Sequence, residues 1–146
     1  MALSDMAGHL IRRLHQHSTA IFTLRTQEAG FDLTPVQFAA LDAIYTHHGS
    51  DQAYIAEMIG YDKATIGGVI NRLVTKGFVR RVVNAQDRRS RELTLTAKGN
   101  KVRLALLPIV QELQKEILKP LGKTDQEALI QLIRQVALPE VKNIKS

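Results

Sequence analysis

"SDQAYIAEMIGYDKATIGGVINRLVTKGFVRRVVNAQDRRSRELTLT" (residues 50–96) decides the fold. Residues 50–60 read as a short helix, capped by Ser50 or Asp51 and closed by Gly60. Residues 61–77 read as a second helix, with Asp62 at its N-cap and Gly77 as its stop. Its apolar residues Ile66, Val69, Ile70 and Leu73 fall at i, i+3, i+4, i+7 and share one face. Two short helices joined by a few residues, the second polar on its outer face, make a helix-turn-helix. "FVRRVV" (78–83) is rich in β-branched residues, and "RELTLT" (91–96) alternates as a strand should. Together they predict a hairpin whose tip, 84–90, is polar and crowded by Arg88, Arg89 and Arg91.

Working outward, the flanks read as helix. Leu10, Leu14, Ile21 and Leu24 recur at helical spacing, with His17 in the seam between Leu14 and Ile21, and Gly30 ends the run. "LTPVQFAALDAIYTHHG" (33–49) has Thr34 as N-cap, Pro35 at the first helical position and Gly49 as stop. Its seam is Phe38, Leu41, Ile44 and Tyr45, then His48. After the hairpin, Thr96 caps a long helix through Val102, Leu106, Ile109, Leu113 and Ile117, in which Pro108 predicts a kink or local bend. Thr124 is expected to cap a last helix with Leu129, Leu132, Ile133 and Val136 on one face, stopped by Pro139. The predicted fold is mainly α with a small β-hairpin: a winged helix-turn-helix domain plus a helical lobe from the N- and C-terminal helices.

Charge is concentrated in one place. Of a net +6, residues 62–103 carry 11 Lys and Arg against 3 Asp and Glu, a net +8 flanked by near-neutral sequence. A solvated surface mixes signs; a local excess points to a polyanion, nucleic acid before membrane. No apolar run approaches membrane-spanning length, and the first residues lack the basic-then-apolar order of a secretion signal, so a cytoplasmic protein is the expectation. With no cysteine there are no disulfides, thiol nucleophiles or thiolate metal sites. No nucleophile–base motif, phosphate loop or metal triad is present, so an enzyme is not expected.

A helix in the major groove presents its N-terminal half to base edges. The outer face of 62–77 offers Lys63, Ala64, Thr65, Gly68, Asn71, Arg72 and Thr75. Thr65 can reach a base edge or a thymine methyl, and Asn71 or Arg72 can make bidentate contacts. Gly67-Gly68 costs about 2 kcal/mol of helix propensity against two alanines. Close approach to DNA and close packing against the neighbouring helix both account for that cost. The hairpin reads as a wing, its arginines drawn to the negative potential of the minor groove. Asp87 fits there if its carboxylate pairs with Arg89 or Arg91 and holds the tip in shape.

"LTPVQFAALDAI" (33–44), "DQAYIAEMIGYDKATIGGVINRLVTKGFVRR" (51–81) and above all "DRRSRELTLTAKG" (87–99) resemble the MarR family of bacterial transcription regulators. The resemblance covers nearly the whole chain. It implies a homodimer, with residues 1–32 and 100–146 forming the dimerisation helices and 33–99 the DNA-binding lobe, in a cytoplasmic, nucleoid-associated protein. It implies pseudo-palindromic double-stranded DNA, with Thr65, Gly68, Asn71 and Arg72 at groove positions and Asp87, Arg88 and Arg89 in the wing. One departure is Gly67-Gly68, where the family often has larger polar residues.

The family usually responds to small aromatic, often anionic, compounds in a cleft between the two lobes. Within it, residues 59–99 are most similar to regulators of aromatic-acid catabolism, of the nicotinate-degradation type. His9, Arg13 and His17 lie at i, i+4, i+8, and Tyr45 and His48 are expected on the inner stripe of the second helix. Arginine beside imidazoles suits a carboxylate, so these five residues are the expected site for an aromatic carboxylate effector. Each also has a plainer reading: a seam histidine is commonly a core or interface residue, and Arg13 can pair with an acid of a partner subunit. No metal or organic cofactor is expected. His47 and His48 would point about 100° apart on a helix and could not chelate together. The leading expectation is a repressor released by its effector. The alternatives are an architectural DNA-binding protein without effector and, more remotely, a metal-responsive regulator.

Overall fold

The computed structural model describes residues 1–138. Six α-helices and one hairpin follow a 3-10 turn at Leu3–Asp5: α1 Ala7–Glu28, α2 Pro35–Thr46, α3 Gln52–Ile59, α4 Lys63–Thr75, β1 Val79–Val83, β2 Arg91–Leu95, α5 Ala97–Ile117 and α6 Lys123–Ala137. Pro139 lies outside the described residues.

Side-chain oxygens start four of these helices. Thr34 and Gln37 form a reciprocal capping box at α2, with Pro35 in the first turn. Asp51 rather than Ser50 caps α3, Asp62 caps α4 and Thr96 caps α5. The turn between α3 and α4 needs Gly60, whose φ of +78° is left-handed. α6 departs from expectation. It begins at Lys123 with Gly122 as N-cap and no capping side chain, so Thr124 is inside the helix. The Gln126 amide closes the turn instead, donating to the Leu118 and Leu121 carbonyls at 3.1 and 2.9 Å.

The core gathers on α2. Leu41 and Ile44 are fully buried against Ile55 of α3, Ile66, Ile70 and Leu73 of α4, Leu93 of β2 and Leu106 of α5. β1 and β2 pair antiparallel, Val79 opposite Leu95 and Val83 opposite Arg91. A minimal third edge joins them. Gly49 N–H donates to Leu93 O at 3.1 Å, Leu93 N–H to Ser50 O at 2.9 Å, and Asp51 bridges Glu92. This clamps the hairpin root to the start of α3. α5 continues as one helix through Pro108. Gly99 in its first turn is obligatory, because a Cβ there would lie 2.0 Å from Phe78 O.

The terminal helices differ from expectation in which face they bury. Among the seam residues expected in α1, Leu10, Leu14 and Leu24 are exposed; Phe22 and Thr26 carry the buried face. α6 buries no residue, leaving Leu132, Ile133 and Val136 exposed. Of the two seams, Ile21 packs against the core and Leu129 is half-buried, while the others named face outward.

Candidate functional site

The outer face of α4 is open. Lys63, Thr65, Gly68, Asn71 and Arg72 are all exposed, as expected. Asp62 fixes the start: one carboxylate oxygen accepts the Thr65 N–H at 2.7 Å and the other its hydroxyl at 3.0 Å. Those two bonds, led by the backbone one, hold the Asp62 carboxyl below its ordinary value. The Thr65 hydroxyl proton is therefore spent, leaving lone pairs and a methyl for a base. Asn71 is likewise partly committed, since its Oδ1 accepts from the Arg81 guanidinium, which also donates to Gln52 at 3.3 Å. A bidentate contact from Asn71 to adenine needs both amide ends, so Arg81 competes with it. Sequence reasoning missed Arg81, because β1 meets α4 only in the fold.

The two glycines prove different from each other. A Cβ on Gly68 would meet nothing within 4 Å, and one on Gly67 would touch only Gln52 Nε2, at 3.4 Å. Packing against the neighbouring helix therefore accounts for neither.

The wing tip is held by its own polar groups. Asn84 Oδ1 accepts the N–H groups of Gln86 and Asp87 at 2.8 and 3.1 Å, while its amide donates to Glu92 at 2.7 Å. The pairing expected of Asp87 with Arg89 or Arg91 is not made. Its carboxylate accepts the backbone N–H of Arg89 at 3.0 Å and pairs with no guanidinium among the described residues. Arg91 folds back to donate to the Arg88 carbonyl at 2.6 Å. Arg88 and Arg89 remain, exposed and without counter-ions among the described residues. The N-x-x-D signal at 84–87 could have identified Asn84.

The five expected effector residues do not form one cluster. His9 Nδ1 accepts from Arg12, not Arg13, at 3.2 Å. His17 Nε2 donates to the Ile117 carbonyl at 3.0 Å, tying α1 to the C-terminal end of α5. Arg13 is exposed with no hydrogen bond among the described residues. Tyr45 and His48 are not on an inner stripe: Tyr45 is 50% exposed, and His48 is exposed beyond the end of α2. The buried stripe turns toward Leu41 and Ile44, which puts Tyr45 at its edge under the Arg103 guanidinium, 3.8 Å from the ring centroid. Arg103 is itself buried, with two nitrogens on Asp42 Oδ1 at 3.1 and 2.9 Å. A concavity of about 590 Å³ between α5 and α6 is lined by Gln114, Leu118, Gln126, Ile130 and Arg134, among others, and by none of the five. Among the described residues no three His, Asp or Glu side chains cluster to hold a metal. No described helix is long and apolar enough to cross a membrane.

The MarR family model matches residues 31–90, the span from α2 through the wing tip. The transcriptional regulator HosA of Escherichia coli is 38% identical over 93% of this chain and 98% of its own. The HTH-type transcriptional repressor NicR of Pseudomonas putida is 30% identical over 92% of this chain and 84% of its own. BpsR of Bordetella bronchiseptica, whose DNA binding is regulated by 6-hydroxynicotinic acid, superposes with a TM-score of 0.87 at 26% identity, covering 94% of this chain and 97% of that one. These relatives are regulators rather than enzymes. With its capped helix-turn-helix, arginine wing and near full-length similarity to such proteins, the chain belongs to the MarR family of transcriptional regulators.

Proposed function

We propose that the protein is a homodimeric repressor of a pseudo-palindromic operator, released by a small aromatic carboxylate. The observation that carries the DNA half is the unneutralised cation set. Arg72, Arg88 and Arg89 project from one lobe with no carboxylate partner among the described residues, in the segment of net +8. In this reading α4 enters the major groove and the wing the flanking minor groove. Two-fold symmetry sets the half-sites about 34–36 Å apart.

Residues 1–32 and 100–146 supply the dimerisation lobe and 33–99 the DNA-binding lobe. Support comes from the apolar residues left exposed on the terminal helices, Leu10 and Leu14 of α1 with Leu132, Ile133 and Val136 of α6. Patches of that kind on a soluble protein mark an interface.

The effector reading rests on Arg13, with no partner among the described residues, beside His9 and His17, and on the nicotinic acid derivative that regulates BpsR. A pyridine or benzene carboxylate suits guanidinium and imidazole donors. To act, it must bind the DNA-incompetent arrangement of the dimer more tightly. The test is fluorescence anisotropy on DNA from upstream of the protein's own gene, at fixed salt, against a panel of aromatic carboxylates. One panel member should release the wild type but not Arg13→Ala. Release of both alike removes Arg13 from the site; specific binding that no member reverses removes the aromatic-acid effector.

A further inference from the structure

Gly68 opens onto a groove. Two adjoining concavities, about 280 and 310 Å³, run between α4 and the start of α2. Thr34, Gln37 and Arg72 line both; Thr65 and Gly68 complete the first, and Lys76 borders the second. Gln37 is the informative residue. It is only 5% exposed, and its Oε1 accepts the Thr34 N–H at 3.1 Å. Its Nε2 amide makes no hydrogen bond among the described residues. A near-buried donor without a partner is costly unless something from outside accepts from it. The Gln37 amide is not fully enclosed, since Asn100 Oδ1 is the one fully enclosed side-chain N or O left unpartnered among the described residues, so water or an incoming acceptor can take its hydrogen bond. Arg72 stands on the opposite wall, exposed and without a carboxylate partner among them. Asp32, which also lines the second concavity, faces Lys76 at 3.9 Å.

We propose that this groove seats a backbone phosphate of the operator, gripped between the Gln37 amide and the Arg72 guanidinium, with Gly68 as the gap that admits the strand. The proposal rests on the DNA-binding reading of α4. DNA is the occupant because the groove is continuous with the recognition face: Thr65, Gly68 and Arg72 belong to both. The charge matches as well: Arg72 and Lys76 lie in the segment of net +8 within a chain of net +6. At the start of α2 the Val36 N–H alone is left without a partner among the described residues, Pro35 having none and Thr34 accepting those of Gln37 and Phe38, and the helix dipole adds field of the right sign. Arg72 thereby moves from reading bases to positioning the backbone. The glycine costs helix propensity in return for close approach, and α2 becomes a second contact element beside the recognition helix. A contact of this kind governs affinity and register rather than sequence.

Gln37→Glu tests it with little disturbance. Glutamate keeps the oxygen that closes the capping box and replaces the amide donors with negative charge. It should weaken binding about tenfold or more, on operator and random duplex alike. Gly68→Ala, which adds a methyl in open space, should raise Tm by about 4 °C while weakening DNA binding about tenfold. Arg72→Ala should lower the slope of log K against log salt by about 1. Loss confined to the operator, sparing random DNA, would assign these residues to base reading and overturn the phosphate seat. Wild-type affinity in both Gln37→Glu and Gly68→Ala, with Arg89→Ala still weakened, would overturn the seat and leave the DNA reading standing. Failure of wild type to bind duplex DNA would overturn both.

Discussion

A methyl group at position 99 has no room. It would sit 2.0 Å from the Phe78 carbonyl oxygen, where α5 crosses the start of the hairpin. Thr96 fixes the same junction, accepting the Gly99 N–H at 3.0 Å while its hydroxyl donates to Gly77 O at 2.6 Å. Backbone on backbone cannot yield as a flexible side chain can, so Gly99→Ala should cost at least about 1–3 kcal/mol. Urea unfolding measures it; an unchanged midpoint would show that this junction is looser than described. The glycine that closes "DRRSRELTLTAKG" is thus explained by packing, and Gly68 by the lack of it. At this scale the sequence shows which residues are exposed and basic, but not how they are paired. Arg88 and Arg89 at the tip are legible because a polar turn can only face solvent. The bonds from Asp87 to the Arg89 backbone, and from Arg81 to Asn71, depend on where atoms lie after folding.

At the scale of elements, two arginines bind the helices to one another. Arg103 of α5 grips Asp42 of α2, 61 residues away, and packs on Tyr45. Arg25 of α1 makes a two-bond pair with Glu116 of α5 at 2.7 and 2.5 Å, 91 residues away, and also holds Glu28. The Arg25 bond, with smaller help from Lys119 and His17, keeps the Glu116 carboxyl below its ordinary value of 4.5, and the same pair raises Arg25. A carboxylate depressed in the folded state stabilises above its unfolded pKa, and that stabilisation is lost as pH falls through the folded one. Glu116→Gln should therefore lower Tm at pH 7, with the gap from wild type constant down to about pH 5 and closing below the ordinary glutamate value. A gap that persists undiminished at pH 3 would mean the side chain acts by packing rather than charge. More than a third of the Arg25 side chain is exposed, so added salt should shrink the gap at pH 7. Neither pair is legible in the sequence, since partners so far apart share no periodicity. The helices themselves are, because Thr34, Asp51, Asp62 and Thr96 announce their starts. The start of α6 is misread, because Gln126 caps the turn from inside the helix. The third edge at Ser50 is also hidden, being too short to alternate.

Over the whole molecule, polarity is divided between regions. The cations concentrate on the helix-turn-helix and wing, while α1 and α6 present apolar residues outward. The basic helix-turn-helix and wing were readable from charge and order of elements. The expected effector set was not: α1 carries His9, Arg13 and His17, whereas Tyr45 and His48 belong to other surroundings, because the inner stripe of α2 turns away before reaching them. In the proposed reading one lobe contacts both grooves, with the wing arginines acting from an ordered tip. Hydroxyl-radical footprinting on DNA from upstream of the protein's own gene tests this most directly, comparing wild type with the Arg88→Ala, Arg89→Ala double variant at fixed salt. Wild type should show two protected half-sites flanked by minor-groove protection. In the variant, the flanks should disappear and affinity should fall by about a hundredfold, with the dimer intact and the half-site spacing unchanged. Flanking protection and affinity equal to wild type in the double variant would contradict it.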